Sequence, residues 1–459
     1  MSVYDKKKQE ELFRLIENGD ISNAIKTMID CNAINAQKMK GLYRRSRLDS
    51  ASVFDWPDPR YADGVPIFAR ESPGVTKVNH RNHTPFDKTI AKNKASYLTG
   101  NMPEITYPDE NKASVLLDKI KPLNLDTNLT ELCKRSTYGG SAYLLLSSPP
   151  GNLDVYATLP NPWECVIVYH PVTNTPVYAF RYWVEGTDKS TSWDVYICEF
   201  YTQAIKQVYS GTLSDGFSGH VPPELHLLGV VPLIEFPNNR ERLGDVELTL
   251  SLQDAYDVAD SDLSSEISQL RLAYLLLQDK EGGDIDEEWL NQLRQTGILA
   301  IVDGDARFVE KNINAVAVEN LKKDLEQRIY RYSNSYNPDQ LGADKALTAF
   351  QINQMLFNLE ASATDTEAEY RQALRQVIAA LSHFYSLGVN PDDVSIAFPR
   401  KTPRNVTQDI KDMVQSGYQL SQKRLAALSP LDVDQGKNEE ELAEEMTAIE
   451  LPEIGQGAG

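Results

Sequence analysis

The sequence predicts an α+β fold that is predominantly helical and has a strand-rich centre. Two long segments, residues 239–278 and 347–387, carry apolar residues at steps of three and four, the spacing of one helix face. Between residues 141 and 235 the pattern changes to short apolar runs such as AYLLLSS and VYAFRYWV, each bounded by turn-forming residues, which is typical of strands. With 459 residues and 41% hydrophobic content, the chain is long enough for more than one compact region.

The N-terminal half is predicted to begin with helices and then to become strand-rich. The predicted elements are, in order, two helices in residues 6–43 with a break at 18–20, an extended loop at 49–74, a helix at 86–98, a helical stretch at 112–134 and a last strand within 226–239. The loop is predicted because Pro, Asp and Gly are frequent there.

Residues 245–278 contain no proline and are predicted to form one helix about 50 Å long. Asp245 is a suitable N-cap, and Glu247 suits the positive end of the helix dipole. Gly282 and Gly283 follow the predicted C-terminus. One face of this helix is apolar. The other face is polar and consists of Asp254, Asp257, Ser261, Ser264 and Ser268.

The C-terminal half is predicted to be largely helical. It contains a compact insert at 279–314 with a short helix at 286–295 and two strands, a helix at 318–332 that ends near Pro338, the long helix at 347–387, a strand beginning at 395, short helices at 409–446 and a disordered end at 451–459.

The composition restricts the function classes. The formal net charge of −20 argues against a protein that grips nucleic acid by neutralising phosphates, since that needs clustered Lys and Arg. The chain shows no signal-peptide core and no run long enough to span a membrane. Its four cysteines, Cys31, Cys133, Cys165 and Cys198, are scattered and are predicted to be free buried thiols of a reducing compartment.

Three motifs have both a chemical and a structural interpretation. His80 and His83 in NHRNH could belong to a metal site or an HNH-type nuclease, but further ligands are lacking and polar caps before a helix are the favoured interpretation. Gly139-Gly140-Ser141 is followed by an apolar strand, so a phosphate loop is not predicted.

The third motif is the acidic group Asp254, Asp257, Asp260 and Asp262. It could hold Mg²⁺, but all four residues lie on one helix at mixed angles and no partner acid is specified elsewhere. A solvated acidic face is the ordinary interpretation, and the lining of a channel is its functional form.

One stretch carries a family resemblance. NNRERLGDVELTLSLQDAYDVADSDLSSEI, residues 238–267, resembles the stem-helix signature of portal proteins from tailed bacteriophages. YLTGNMP at 97–103 and LSQKRLAALSPLDV at 420–433 are similar to further family segments, the latter in the crown. The resembling blocks extend from about residue 78 to residue 446, with unmatched loops between them.

The resemblance implies a portal fold that assembles into a ring. Its parts would be a wing at 1–239, a first stem helix at 240–278, a clip at 279–314, a second stem helix at 315–336, a tunnel loop at 337–346, a long wing helix at 347–390, and a crown with a disordered tail at 391–459.

The resemblance also implies a function without catalysis or cofactor. About twelve copies would form a ring at one capsid vertex, through which double-stranded DNA is packaged and ejected. The implied partners are the terminase large subunit, a head-completion or adaptor protein, and the major capsid and scaffolding proteins. The protein would be made in the host cytoplasm and reside in the virion, with no membrane partner. A metal-dependent nuclease or DNA-processing enzyme is the alternative, and a non-viral helical scaffold is a third possibility.

Particular residues follow from this assignment. The polar face of residues 254–268 would line the channel, Gln340, Asp344 and Lys345 would lie in the tunnel loop, and Glu287, Glu288 and Trp289 would serve docking at the clip. Lys345 would form either a basic ring around the bore or an ordinary ion pair with Asp344 or a neighbour. Twelve stem helices spaced about 10 Å apart give a ring about 38 Å across and an opening of about 28 Å, wider than a duplex of about 20 Å.

Overall fold

The computed structural model describes residues 4–46, 80, 82–148, 154–187, 194–219, 221–270, 274–279, 304–309, 315–337 and 354–400. Its helices are α1 (Lys6–Glu17), α2 (Ile21–Ser46), α3 (Phe86–Thr99), α4 (Glu110–Ile120), α5 (Leu125–Gly139), α6 (Leu250–Leu270), α7 (Ala315–Tyr332) and α8 (Phe357–Phe384). Its strands are β1 (Glu104–Thr106), β2 (Ser141–Ser147), β3 (Tyr156–Thr158), β4 (Cys165–Tyr169), β5 (Pro176–Thr187), β6 (Asp194–Tyr201), β7 (Ile205–Thr212), β8 (Gly216–Gly219), β9 (Glu224–Leu225), β10 (Leu233–Pro237), β11 (Tyr274–Asp279), β12 (Gly304–Val309) and β13 (Ser395–Ala397).

All strand pairs of the described chain are antiparallel. The largest sheet has the order β4-β5-β6-β7-β8, and β9 pairs with β7 beside β8. A second sheet has the order β10-β2-β3, with Leu233 opposite Leu145. Two-stranded sheets join β1 to β13 and β11 to β12. The mixed helix and sheet composition agrees with the predicted α+β class.

Helices α1 and α2 cover one face of the largest sheet. Their apolar stripe, including Leu12, Ile25 and Met28, packs against Phe180 and Phe200 of the sheet. Asp5 caps α1 by accepting a hydrogen bond from the backbone N–H of Lys7 at 3.0 Å. Burying these side chains removes apolar surface from water, and this stabilises the packing of the two helices on the sheet.

The junction between α5 and β2 approaches the chain segment before α6 very closely. Gly140 has φ +83°, the left-handed region. A Cβ built there would lie 2.0 Å from the backbone oxygen of Arg242. Only glycine meets both requirements, so Gly140 ends α5 and allows this close approach to the backbone of Arg242.

Most predicted elements of the first half are confirmed. The break between α1 and α2, helix α3 followed by strand β1, and the strand-rich centre lie where the sequence predicted them. The stretch at 112–134 contains two helices, α4 and α5, because Pro122 and a left-handed Asn124 interrupt it. Helix α7 and the described part of the long helix, α8, are confirmed as well.

The single helix predicted at 245–278 is wrong at both ends. Asp245 is not its N-cap, since its carboxylate pairs with Lys94, and a 3₁₀ turn at Glu247–Thr249 precedes α6. At the other end α6 stops at Leu270, and Tyr274–Asp279 is strand β11, paired with β12. The predicted strand in ARFVEK is confirmed in β12.

Several predicted elements lie outside the described residues. These are the loop at 49–74, the short helix at 286–295, the first insert strand at 297–303, the start of the long helix at 347–353, the helices at 409–446 and the C-terminal end.

The chain divides into two compact units. The first contains Met1–Tyr336 and Asn358–Arg400, with every sheet described above. The second contains Asn337–Phe357 and Lys401–Gly459, of which the structure describes residues 337 and 354–357. None of the helices in the described chain has the length and apolar character needed to cross a bilayer.

Candidate functional site

Helices α6 and α7 pack against each other and against the start of α3. The ring of Phe86, at the first residue of α3, makes edge-to-face contacts with Tyr256 of α6 at 4.9 Å and Tyr330 of α7 at 5.8 Å between centroids. Ile329 of α7 is fully buried in the same apolar cluster, together with Leu250 of α6. These contacts fix one end of the α6–α7 pair to the rest of the first compact unit.

The outward side of this helix pair remains apolar in places. Ile267 on α6 is 56% exposed, and Leu321 and Tyr332 on α7 are 50% and 54% exposed.

The polar side of α6 carries buried charges with partners in the same chain. Arg45, at the end of α2, places Nη1 2.6 Å from Asp254 Oδ1 and Nε 3.8 Å from Asp87 Oδ2. Burial lowers the pKa of Arg45, but the charges of Asp254 and Asp87 outweigh it, so the pKa is raised. Burial raises the pKa of Asp87, and Arg45 offsets only part of this effect.

Asp257 is the most enclosed residue of this polar side, with no exposed surface. Its Oδ2 lies 2.7 Å from His83 Nδ1, and its Oδ1 accepts a hydrogen bond from the backbone N–H of Thr84 at 2.8 Å. The prediction that Asp254 and Asp257 face an open channel is therefore wrong for the folded chain, because both carboxylates are buried by partners from α2 and the segment before α3.

The same contact corrects the prediction for His83. Its imidazole pairs with Asp257 and does not cap a helix, and α3 begins after Pro85 without a side-chain cap. His80 is exposed, and its backbone N–H donates to Ser265 Oγ at 3.0 Å. Within the described ranges, no group of three or more His, Cys, Asp or Glu side chains is arranged to hold a metal ion.

Ser261 and Ser264 are half-buried by Asn82. The backbone N–H of Asn82 donates to Ser261 Oγ at 2.9 Å, and its side-chain amide donates to Ser264 Oγ at 2.8 Å. Asp260 accepts from the same amide and pairs with Lys322 of α7. The side chain of Ser268 lies outside the described residues, so the channel-lining prediction for these serines stays a prediction.

The segment between β10 and α6 is a buried polar joint. Arg242 forms a bidentate pair with Glu235 of β10, with Nε–Oε1 at 2.7 Å and Nη2–Oε2 at 2.8 Å. Glu235 also accepts from Ser141 Oγ at 2.8 Å and from the Tyr169 hydroxyl. Burial raises the pKa of Glu235, but Arg242 outweighs it and holds the pKa below its usual value.

Lys94 of α3 is the second buried charge of this joint. Its ammonium group lies 2.6 Å from Asp245 Oδ2, 2.8 Å from Asn238 Oδ1 and 2.8 Å from Ser362 Oγ of α8. The motif NNRERLGD thus fixes the start of α6 to a sheet and to two helices. Sequence reasoning missed the role of Lys94, although a lysine within the apolar stripe of Ile90 and Leu98 was its signal.

The remaining predicted site residues lie outside the described chain. They are Gln340, Asp344 and Lys345 of the predicted tunnel loop and Glu287, Glu288 and Trp289 of the predicted clip. Cys133, Cys165 and Cys198 are buried and Cys31 is half-buried, and all four are free thiols, as predicted.

Comparisons with known proteins give a family and one clear relative. The family model described as phage portal protein, SPP1 Gp6-like, matches residues 32–450. The portal protein of Bacillus phage SPP1 is 26% identical over 400 residues, covering 80% of this chain and 76% of that one.

Two solved structures overlap more weakly. They come from the virion of a native gene transfer agent particle (TM-score 0.40) and from the neck of an empty particle of that agent (TM-score 0.41). Each is 12% identical to this chain, and the match covers 88% of the solved chain and 75% of this chain.

Proposed function

The chain belongs to the SPP1 Gp6-like phage portal proteins, and from this membership we propose that it forms the ring-shaped DNA passage at one vertex of a phage capsid. The observation that carries the proposal is the family match, which spans residues 32–450 of the chain. Members of this family are generally structural proteins, so the chain supplies a passage and a docking surface. Catalysis belongs to a separate motor.

The ring contains about twelve copies, arranged head to tail around the channel. The exposed apolar residues Ile267, Leu321 and Tyr332 on α6 and α7 support this proposal. In the ring, a neighbouring copy covers these side chains. In this arrangement α6 and α7 are the two stem helices, with the first stem helix ending at Leu270.

The channel carries double-stranded DNA without reading its sequence. The net charge of −20 supports a bore that DNA passes without adhering, because Asp and Glu outnumber Lys and Arg by 66 to 46 and binding by counterion release needs clustered cations. Ser261 and Ser264, both partly exposed, and Ser268 are the proposed lining of the stem.

The tunnel loop at 337–346, with Gln340, Asp344 and Lys345, forms the narrow part of the channel. Lys345→Ala, scored by the length and retention of packaged DNA, tests whether this residue contacts DNA. Unchanged genome length and virion yield would assign Lys345 to an ordinary ion pair.

The clip docks the partners at the end of the stem. Because α6 ends at Leu270 and β11 begins at Tyr274, the clip begins near residue 274, and β11 with β12 forms its described part. Glu287, Glu288 and Trp289 are the proposed contacts for the terminase large subunit during packaging. A head-completion or adaptor protein takes this place afterwards. Major capsid and scaffolding proteins contact the wing and crown, which are residues 1–239, 347–390 and 391–459. The protein is made in the host cytoplasm and then resides in the virion.

Negative-stain imaging with light scattering on the purified full chain tests the proposal. We expect closed rings with a mass about twelve times that of the 51.5 kDa chain. A stable monomer with one cooperative melting transition contradicts it. Incubation with DNA and Mg²⁺ or Mn²⁺ tests the alternative, a metal-dependent nuclease. Cleavage that is lost in His83→Ala would favour that enzyme over a portal.

A further inference from the structure

Helix α6 has three sides with different surroundings. The side with Asp257 is covered by the segment before α3, and the side with Tyr256 contacts Lys322 of α7. The third side is open in the single chain, and we call it the α6 face. It carries three exposed residues, which are Leu248 in the 3₁₀ turn before α6, Ser251 and Ala255.

Helix α7 also has an open side, which we call the α7 face. Its residues are Leu321, Arg328 and Tyr332, at steps of seven and four, so they share one side of the helix. Each of the three side chains is about half exposed, whereas Ile329 marks the buried side. Arg328 pairs with the half-exposed Asp324 at 2.8 Å. The α7 face therefore has an apolar side chain at each end and an ion pair between them.

The contacts between α6 and α7 fix the relative heights of their residues. Lys322, in the first half of α7, pairs with Asp260, in the middle of α6. Ile329, near the end of α7, shares an apolar cluster with Leu250, the first residue of α6. The two helices are therefore antiparallel, and the end of α7 lies at the height of the start of α6.

Tyr332 and Leu248 lie at the same height along the pair. Tyr332 is three residues beyond Ile329, or about 4.5 Å of helix, and Leu248 is two residues before Leu250. Leu321 is eleven residues before Tyr332, about 16 Å away along α7. It lies at the height of the middle of α6.

The two faces are complementary in size and charge. Ser251 and Ala255 have small side chains, which leave room beside α6 for the larger side chains of the α7 face. The open side of α6 continues to the exposed Asp262. Exposed positions on α7 carry three cations and two acids, which are Lys323, Arg328, Arg331, Glu319 and Asp324. A second copy of this chain therefore suits the α6 face.

We propose that the α7 face of one copy packs on the α6 face of the next copy, with Tyr332 seated against Leu248 and Ser251. The inference rests on the proposed ring, because it names the two surfaces that join neighbouring copies and their register. A closed ring joins two different surfaces of the chain, and rotation about its axis keeps every atom at its height. Residues of equal height on stem helices that run along the channel therefore meet between copies. Tyr332 is the anchor, since a large aromatic side chain supplies much of the buried area at a protein interface.

Disulfide cross-linking between two kinds of chain tests the surfaces and the register. One chain carries Leu248→Cys and the other Tyr332→Cys, both with Cys31→Ser because Cys31 is only half-buried. Rings assembled from the mixture and oxidised should give a covalent dimer on a non-reducing gel. The matched control replaces Tyr332→Cys with Leu321→Cys, on the same face but about 16 Å away. It should give at least about ten-fold less dimer, since a disulfide needs Cα atoms within about 7 Å.

A bulky substitution tests the α6 face without cysteine chemistry. Ala255→Trp is exposed in the single chain, so a cooperative melting transition should remain. In the ring its indole would occupy the space of the α7 face, and light scattering should show smaller species. Val172→Trp, at an exposed turn, is the matched control and should leave rings intact.

The outcomes separate this interface from the portal function itself. If wild-type protein forms no ring, the proposed function fails. If rings form but Leu248→Cys and Tyr332→Cys give no more dimer than the control mixture, the portal stands and this register is wrong. Dimers of the Leu248→Cys chain alone would show that two copies meet through the same surface, which also overturns the proposal. If the cysteine variants do not fold, Ala255→Trp decides, and rings of normal mass in that variant contradict the proposal.

Discussion

The ammonium nitrogen of Lys94 lies 2.6 Å from a carboxylate oxygen of Asp245, and the two side chains are only 2% and 6% exposed. Lys94 belongs to α3, and Asp245 lies before the 3₁₀ turn at Glu247–Thr249 that leads into α6, so this buried pair connects α3 to the start of α6. Ser362 and Asn238 complete the coordination of the ammonium group. Leaving such a buried charge without its partner strongly lowers the free energy of unfolding.

Removing Lys94 should therefore destabilise the protein strongly. Lys94→Met leaves Asp245 as a buried carboxylate without its cation, and we expect a loss of about 3–5 kcal/mol in the free energy of unfolding. Urea titration followed by far-UV circular dichroism measures this loss. The matched control is Lys121→Met, which breaks the exposed pair with Asp118 (76% and 65% exposed) and should change the free energy of unfolding little. Equal losses in the two variants would contradict the role of Lys94.

Because Glu235 pairs with Arg242, the free energy of unfolding should decrease at acidic pH. The pKa of Glu235 is lowered in the folded chain because the charge of Arg242 outweighs the effect of burial. The stability that Glu235 contributes is therefore present above its ordinary pKa of 4.5 and is lost as the pH falls through the lower, folded value.

Urea unfolding of wild type and Glu235→Gln from pH 3 to pH 7 measures this contribution. We expect the variant to be about 3–5 kcal/mol less stable at pH 7, because Arg242 loses its partner. The difference in the free energy of unfolding between wild type and variant should decrease toward pH 3. Glu104→Gln, at an exposed position of β1, should follow the wild-type curve. A gap that is constant with pH would show that Glu235 acts through packing alone.

Charge on the exposed apolar side of α7 should impair assembly but not folding. Leu321 is 50% exposed in the single chain, so Leu321→Glu should change the stability of the monomer little. If a neighbouring copy covers this side, the same substitution buries a carboxylate in the interface and weakens assembly. Light scattering should show a shift from rings to smaller species, and the melting transition of those species should remain cooperative. Val172→Glu, at a position 85% exposed in the turn between β4 and β5, should leave assembly unchanged. Rings of normal mass in both variants would place the subunit interface elsewhere.

Leu227 occupies a backbone conformation that its side chain disfavours. Its φ is +56°, and its side chain is 63% exposed. Leu227→Asn should raise the free energy of unfolding by about 0.5–1 kcal/mol, since Asn tolerates the left-handed region and little packing is lost. The control Leu225→Asn, at a position 72% exposed and without positive φ, should bring no gain.

The neighbouring Gly229→Ala should do the opposite. Its φ is +68°, and a Cβ there would lie 2.5 Å from Cγ of the His383 ring. We expect a clear decrease in the midpoint of urea unfolding. A stability gain in Gly229→Ala would show that the loop between β9 and β10 adapts freely and that Leu227 is not strained.

The sequence predicted local structure well where the determining contacts are local. The break between α1 and α2 and the strand runs from β2 to β10 follow from turn residues and from periodicity within a few positions. The end of α6 could not be found this way, because Tyr274 and Leu277 continue the helical spacing of the preceding stripe. Their strand conformation depends on pairing with Val309 and Ala306, some thirty residues further along.

The candidate site was predicted less well, for the same physical reason. Periodicity separates a polar helix side from an apolar one, but it does not say whether water or another segment contacts the polar side. Asp257 pairs with His83, which is distant in the sequence, and Asp254 pairs with Arg45. Asp245 has the residue type of a helix cap, yet Lys94 competes successfully for its carboxylate. Such long-range partners leave only faint local signals, such as a lysine inside an apolar stripe.

The close approach at Gly140 has a genetic consequence. Every missense change of a glycine codon adds at least a Cβ, and here that atom would lie 2.0 Å from the Arg242 backbone oxygen, at a φ of +83°. No amino-acid replacement at this codon is neutral unless residues 242 and 243 move as well. Lineages descending from this sequence can therefore drift at the surrounding turns while this codon changes only at its silent third position.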